Sequence, residues 1–230
     1  MKINDCVPEL EELIKFDKTT LSFLRDHCFY YSDLSGLASD ASAYYLKLKN
    51  CTKTKFQFDS EFLVDLSEHK KGTAHIGANF FLEGSQFEGI SYFLAIRDNE
   101  PRARLLRKYH FDYTSPSTKR KQPHPIFHLQ YAGELSPRLS ALDLDCTHLD
   151  SWLEVPRLFY TPMTLALLIN MILKEFPNRE NEKLIETSEW RHLIRKNEDH
   201  FLAPYFEKCH SFISNRTNQR LFINDFYYAS

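Results

Sequence analysis

The chain has 230 residues and a net charge of −2, with only six glycines and five scattered cysteines. It has no G-x-G-x-x-G or G-x-x-x-x-G-K-[ST] motif, which argues against a nucleotide-binding loop. It also has no C-x-x-C pair, which argues against a disulfide framework or a cysteine-rich zinc site and favours a reducing cytoplasm.

The part of the chain before residue 52 is predicted to be helical. Apolar residues recur at helical spacing over residues 8–28, and Pro8 with the acidic residues behind it suits a first helical turn. Residues 40–50 show a shorter pattern of the same kind. Two helices are therefore expected before the sheet.

From about residue 54 the hydrophobic period changes to two, which is typical of β-strands. The predicted strands are FQFDSEFLVDL (56–66), AHIGANFFLEG (74–84), GISYFLAIRD (89–98), RARLLRKYHFD (102–112) and IFHLQYA (126–132). Successive strands with short connections predict an antiparallel meander of four to five strands.

After residue 155 the pattern is helical again. Thr161 followed by Pro162 is typical of a helix start, with the threonine as N-cap and the proline in the first turn. The helix that follows is apolar nearly all round, which predicts that it is buried in the middle of the fold and ends at Pro177. An amphipathic helix over residues 180–197 and a further helix complete this part.

Helices, then a sheet, then helices indicate an α+β fold, in which the meander is flanked by an N-terminal helical segment and a C-terminal helical bundle. No repeat or linker divides the chain, so we predict one α+β domain over residues 1–230. The alternative division has a helical lobe at 1–52, the sheet at 53–133 and a helical part at 155–215.

Two of the predicted strands carry histidines on a polar face, because successive side chains on a strand point to opposite faces. The polar face of residues 102–112 carries Arg104, Leu106, Lys108, His110 and Asp112. Its other face carries Leu105, Arg107, Tyr109 and Phe111. The histidine-bearing face of residues 124–131 carries His124, Ile126, His128 and Gln130. If these strands form a hairpin, His110 and Asp112 lie across from one of the two histidines of the second strand.

His124 and His128 cannot both occupy one site on an extended strand, because residues four apart are separated by about 13 Å. His128 lies within the predicted strand, whereas His124 precedes Pro125 at its entry. We therefore place His128 in the centre of the candidate site.

Three interpretations of this cluster remain open. In the first, His110 and His128 are the acid and base of a metal-independent ribonuclease-type reaction, with Arg107 as a further catalytic group, because histidine titrates near neutral pH. In the second, Asp112, His110 and His128 hold a divalent metal ion. In the third the histidines are structural and satisfied by hydrogen bonds.

Basic side chains are concentrated around this region. Residues 101–121 carry seven basic and one acidic side chain, and such a focus of charge attracts phosphates. The predicted substrate-binding residues are Arg104, Lys108, Lys119, Arg120, Lys121, His124, Gln130 and Arg157. A solvated loop and an exposed strand face would account for the same charge without a ligand.

Three segments, Arg107 to His110, His124 to Gln130 and Pro156 to Phe176, together resemble a pattern of uncharacterised bacterial proteins. In that pattern an Arg-Tyr-His-like triplet ends a strand, and His-Pro-x-x-His-Leu and a Pro-initiated apolar helix follow. Small toxins of bacterial toxin–antitoxin modules have a similar strand and His-x-x-x-His arrangement, and their genes often lie in defence islands. The resemblance implies an RNA-directed activity or a subunit of an antiviral defence complex.

We therefore expect a cytoplasmic bacterial protein of nuclease-like or toxin-like function. It would act on RNA or single-stranded nucleic acid by histidine acid–base chemistry, without a cofactor. The alternative is a non-catalytic protein-interaction subunit of a defence or toxin–antitoxin complex, whose sheet edge and aromatic C-terminal tail bind a partner protein. No membrane contact is expected, because the longest apolar run, LALLINMIL (165–173), is too short to span a bilayer.

Overall fold

The computed structural model describes residues 10–49, 55–83, 86–101, 103–114, 127–131, 141–142 and 157–215. The helices are α1 (Leu10–His27), α2 (Ser35–Lys49), α3 (Leu165–Glu175), α4 (Arg179–Glu186), α5 (Ser188–Asn197) and α6 (Ala203–Asn215). The strands are β1 (Lys55–Ser67), β2 (Lys70–Glu83), β3 (Gln86–Asp98), β4 (Leu105–Thr114), β5 (Phe127–Tyr131) and β6 (Arg157–Phe159). This is the predicted α+β order. None of the described helices is long and apolar enough to cross a membrane.

The strands form an antiparallel sheet in which each strand pairs with the next one along the chain, in the order β1 to β6. The predicted meander is confirmed. β6 was not predicted, because a strand of three residues is too short to show a period of two.

One face of the sheet is apolar and forms the hydrophobic core with the helices. Tyr92, Leu94 and Ile96 of β3 and Phe111 and Tyr113 of β4 are buried on this face. All six helices contribute side chains to the same cluster. The helices therefore cover this face, and the alternate positions of each strand point to the other one.

α1 confirms the helix predicted over residues 8–28, whereas α2 begins five residues before its predicted start at residue 40. The first turn of α2 packs directly on the backbone of β1. A Cβ atom at Gly36 would lie 2.8 Å from the carbonyl oxygen of Glu61, so the missing side chain permits this close approach. The hydroxyl of Ser60 also donates to the carboxylate of Asp40 at 2.9 Å. α2 thus covers part of an edge strand.

α3 is the central helix, as predicted, but it does not begin at Thr161. Its N-cap is Thr164, whose Oγ1 accepts a hydrogen bond from the N–H of Leu167 at 3.3 Å. The same hydroxyl donates to Oδ1 of Asn197 in α5 at 2.8 Å. The helix start is therefore set by a contact with a distant helix, which the local Thr-Pro pattern does not reveal.

The helix predicted over residues 180–197 is divided in two at Thr187. This residue has an extended backbone (φ −62°, ψ 142°) and caps α5 by accepting from the N–H of Trp190 at 3.3 Å. In one continuous helix Leu184 and Trp190, six residues apart, would point about 120° away from each other. The break allows both side chains to be buried in the core.

A buried carboxyl group joins α1, the sheet and α3. Oδ2 of Asp17 accepts a hydrogen bond from the hydroxyl of Tyr92 at 2.9 Å, and Oδ1 accepts from the N–H of Leu165 at 3.2 Å. Burial raises the pKa of the Asp17 carboxyl from 3.8 to about 7, although both hydrogen bonds act in the opposite direction. This carboxyl therefore titrates near neutral pH.

This raised pKa predicts that stability depends on pH through Asp17. The folded state holds the proton more tightly than the unfolded state does. The contribution of this group is therefore greatest below pH 4 and falls by about 4 kcal/mol up to pH 7. In Asp17→Asn that part of the pH dependence should disappear from the free energy of unfolding, measured by urea denaturation between pH 4 and pH 8.

The matched control is Asp26→Asn, an exposed position on the same helix. Arg25 lowers the pKa of Asp26, so this carboxyl is ionised over the whole range and the control should keep the wild-type dependence. An unchanged dependence in Asp17→Asn would contradict the assignment.

Candidate functional site

The face of the sheet opposite the helices, called the polar face below, is built from rows of side chains, because directly opposed residues of antiparallel strands point to the same side. The first row is Asn79, Ser91, Asp112 and His128. The second row is Gly77, Phe93, His110 and Gln130. The third row is Glu61, His75, Ala95 and Lys108. The predicted hairpin of β4 and β5 is confirmed, and it brings Asp112, His128 and His110 together.

Asp112 and His128 form the centre of the first row. Their Cα atoms are directly opposed, and Nε2 of His128 lies 3.4 Å from Oδ2 of Asp112. His128 is buried, whereas the Asp112 side chain keeps 21% of its surface exposed. When Nε2 donates to the carboxylate, the imidazole carries its lone pair on Nδ1. The contact with Asp112 thus favours the tautomer of His128 that carries its proton on Nε2.

The charge state of Asp112 follows from its neighbours. Burial, the largest single contribution, raises the pKa of this carboxyl, whereas the hydrogen bond and charge of His128 lower it. With smaller contributions from Ser91 and His110, they hold the pKa below its usual value. Asp112 is therefore ionised at neutral pH and places a negative charge beside His128.

His110 belongs to the second row and is held from the neighbouring strand. Its Nδ1 lies 3.2 Å from the hydroxyl of Ser91, a hydrogen-bond distance whose donor depends on the tautomer of the ring. His110 and His128 occupy diagonal positions of the β4–β5 ladder. The Cα atoms of such diagonal positions are about 7–8 Å apart. We call Ser91, His110, Asp112 and His128 the histidine cluster.

Phe93 lies beside this cluster in a space that a glycine provides. The centroids of the Phe93 and His110 rings are 6.3 Å apart. A Cβ atom at Gly77 would lie 2.2 Å from Cζ of Phe93 and 2.3 Å from the carbonyl oxygen of Phe58. The ring therefore covers Gly77 and provides an apolar wall next to His110.

Lys108 brings a buried positive charge to the polar face. It lies two residues before His110 on β4, and its side chain is almost fully buried. A buried ammonium group requires compensating polar contacts. Lys108 is the predicted phosphate-binding residue that the structure places nearest to His110 along the strand.

Two predicted arginines do not join the cluster. Arg107, predicted to be catalytic, points to the helix-covered face, where its Nη1 donates to Oε1 of Glu175 at the end of α3. Strand alternation places it on the opposite face of the sheet from His110, and its catalytic role stays a prediction. Arg104 donates through Nε to the buried carboxylate of Asp98 at 3.2 Å and belongs to the turn between β3 and β4. It therefore stabilises a turn and does not lie with the histidines.

The other predicted binding residues have different outcomes. Gln130 is half-buried and directly opposite His110. The Cα atom of Arg157 pairs with that of Gln130, but its side chain lies outside the described part. The remaining ones, Lys119, Arg120, Lys121 and His124, also lie outside the described residues. Their phosphate-binding role stays a prediction.

The described residues contain no group of three His, Cys, Asp or Glu side chains arranged to hold a metal ion. Asp112, His110 and His128, the alternative metal ligands, are among these described residues. In the structure the imidazole of His128 contacts the carboxylate of Asp112. The imidazole of His110 is within hydrogen-bond distance of the Ser91 hydroxyl.

The sequence patterns did not single out Ser91, Phe93 or a second histidine contact in the third row. There Nε of Arg97 donates to Nε2 of His75 at 3.0 Å, and Nδ1 of His75 lies 3.4 Å from Oε2 of Glu61. The signal that would have found them is the register of the β1–β2–β3 meander. That register depends on turn geometry, which a hydrophobic period of two does not specify.

The chain matches no protein-family model, no curated protein and no solved structure. The histidine cluster is therefore interpreted from its own geometry, as an ionised carboxylate and two imidazoles on neighbouring strands.

The fit of Phe93 over Gly77 predicts a strong effect of one methyl group. Gly77→Ala should lower the free energy of unfolding by roughly 1–3 kcal/mol, because the ring or the β1 backbone must move. In the double variant Gly77→Ala/Phe93→Ala the loss should be smaller than the sum of the two single losses. A double-mutant cycle by urea denaturation measures this, and strict additivity would contradict the proposed contact.

The lowered pKa of Asp112 predicts a second effect on stability, of opposite sign to that of Asp17. Its stabilisation is present above the unfolded pKa, near 3.9, and is lost as the pH falls through the lower folded pKa. Asp112→Asn should therefore cost about 1–2 kcal/mol at pH 7, and this difference from wild type should shrink towards pH 2–3.

The measurement is the free energy of unfolding of wild type and of Asp112→Asn, at pH 7 and at pH 2–3. Glu207→Gln makes the same carboxylate-to-amide change on an exposed position of α6 and serves as the control. A constant difference between wild type and Asp112→Asn at all pH values would argue against the contact with His128.

Proposed function

We propose that the protein is a metal-independent, nuclease-like or toxin-like enzyme acting on RNA, with His110 and His128 as its acid–base pair. One observation carries the proposal. Asp112, ionised and opposite His128, lies on the same face as His110, so two imidazoles in different electrostatic environments occupy neighbouring rows.

Cleavage of RNA without a metal needs two proton transfers. One group takes the proton of the 2′-hydroxyl, and a second protonates the leaving 5′-oxygen. In this proposal His128, which contacts the carboxylate of Asp112, is the acid, and His110, which is hydrogen-bonded to Ser91, is the base. The Cα atoms of diagonal strand positions are about 7–8 Å apart, so side chains at both positions are able to reach one phosphodiester group.

Positive charge and the resemblance to bacterial toxins support the same substrate. Lys108 lies on the polar face beside His110, and residues 101–121 together carry seven basic side chains. The His-Pro-x-x-His-Leu motif, whose second histidine is His128, resembles the arrangement in small toxins. In this proposal Lys119, Arg120, Lys121 and His124 bind the backbone of the substrate.

The test is cleavage of an RNA and of a single-stranded DNA of the same sequence in EDTA. RNA should be cut and DNA should not, because DNA lacks the 2′-hydroxyl that attacks the phosphate. His110→Gln and His128→Gln should each lose activity about 100-fold or more. His192→Gln, at an exposed position of α5, should retain it.

Two outcomes would overturn the proposal. The first is cleavage that requires Mg²⁺ or Mn²⁺ in the wild type. The second is no cleavage by wild-type protein whose circular dichroism and melting temperature show that it is folded.

The burial of His128 favours a second function, a non-catalytic protein-interaction subunit, because a catalytic histidine needs access to its substrate. Apolar side chains are exposed elsewhere: Phe29 and Tyr30, in the turn between α1 and α2, are 57% and 85% exposed. If no RNA is cut, and if His128→Gln lowers the free energy of unfolding more than His110→Gln because His128 is the more buried residue, this second function replaces the first.

A further inference from the structure

A cavity of about 230 Å³ lies on the helix-covered side of the sheet, between β3, β4, β5 and the last turns of α3. Its apolar walls are Leu94, Ile96, Phe111, Leu129, Ile172 and Phe176. Arg107 and Glu175 lie at its rim. The cavity is separate from the histidine cluster, because alternate residues of β4 point to opposite faces of the sheet.

The size of the cavity limits its ligand to a small molecule. A cavity of 150 Å³ in another protein binds benzene, which has six heavy atoms. By the same ratio this cavity holds about nine heavy atoms. A phenyl ring with a short chain, or a branched aliphatic group, is of that size.

The rim of the cavity carries one charge of each sign. Arg107 donates to Glu175, and their side chains are 48% and 51% exposed, so both can turn towards a ligand. A guanidinium has five N–H donors in a fork that fits a carboxylate. Glu175 is the last residue of α3, where the negative end of the helix dipole adds to its attraction for a cation.

We propose that this cavity binds the zwitterion of an α-amino acid with a large apolar side chain. The side chain fills the space between β3, β4 and α3, the carboxylate binds Arg107, and the ammonium group binds Glu175. This site requires no catalysis by the histidine cluster and does not depend on the function proposed above.

The ligand test compares three probes that differ in one charged group at a time. L-phenylalanine has both groups, 3-phenylpropionate lacks the ammonium group and phenethylamine lacks the carboxylate. Isothermal titration calorimetry of the wild-type chain should show saturable binding of L-phenylalanine at millimolar concentration or below. Each of the other two should bind about 10-fold or more weakly.

Rim variants assign the charged contacts. Arg107→Gln should weaken binding of L-phenylalanine and 3-phenylpropionate but not that of phenethylamine. Glu175→Gln should weaken binding of L-phenylalanine and phenethylamine but not that of 3-phenylpropionate. Both positions are half exposed, so the variants are expected to remain folded.

A filling variant tests the cavity itself. Met171→Phe adds volume to the lining, whereas Leu167→Phe makes a similar change one turn earlier on α3, outside the lining. The first should reduce the affinity for L-phenylalanine about 10-fold, and the second should leave it unchanged. Absence of saturable binding by the folded wild type, or equal effects of the two variants, would overturn the proposal. Equal affinity for all three probes would overturn the zwitterion assignment.

Discussion

The buried carboxyl of Asp17 is the contact on which the arrangement of helices and sheet depends. It joins α1 to Tyr92 in the middle of β3 and to the first N–H of α3. A polar group in the core requires such partners. The free-energy cost of burying it without hydrogen bonds is larger than the net stabilisation that a hydrogen bond contributes. With α1 and α3 held against the same strand, the face that carries Tyr92 becomes the core, and the alternate residues of every strand are directed to the opposite face.

The pKa values of the Asp17 and Asp112 carboxyl groups are shifted in opposite directions. Both are removed from water to a large extent, which disfavours the ionised form. Asp17 accepts hydrogen bonds from neutral donors, so burial prevails and its pKa rises to about 7. Asp112 faces His128, and the hydrogen bond and charge of the imidazole lower its pKa. Asp17 connects α1, β3 and α3 in the core, and Asp112 supplies a negative charge to the candidate site.

β4 links the two proposed sites, because its residues alternate between them. Lys108, His110 and Asp112 lie on the polar face, while Arg107, Tyr109 and Phe111 point to the core and the cavity. The thickness of one sheet therefore separates the histidine cluster from the apolar cavity. The Gly77–Phe93 contact between β2 and β3 lies on the polar face, so a substitution there is expected to affect the histidine cluster more than the cavity.

Local sequence patterns were sufficient for the α+β order, the meander, the central α3 and the two faces of β4 and β5, because periods of 2 and 3.6 are local properties of the chain. Alternation alone already placed Arg107 away from His110, although the predicted catalytic set joined them. Long-range contacts were needed to place His128 opposite Asp112, to begin α3 after Thr164 rather than Thr161, and to divide the next helix at Thr187. Ser91 and Phe93 likewise became part of the site through strand register. Register, caps and helix breaks depend on partners that are distant in the chain, and a local pattern does not contain them.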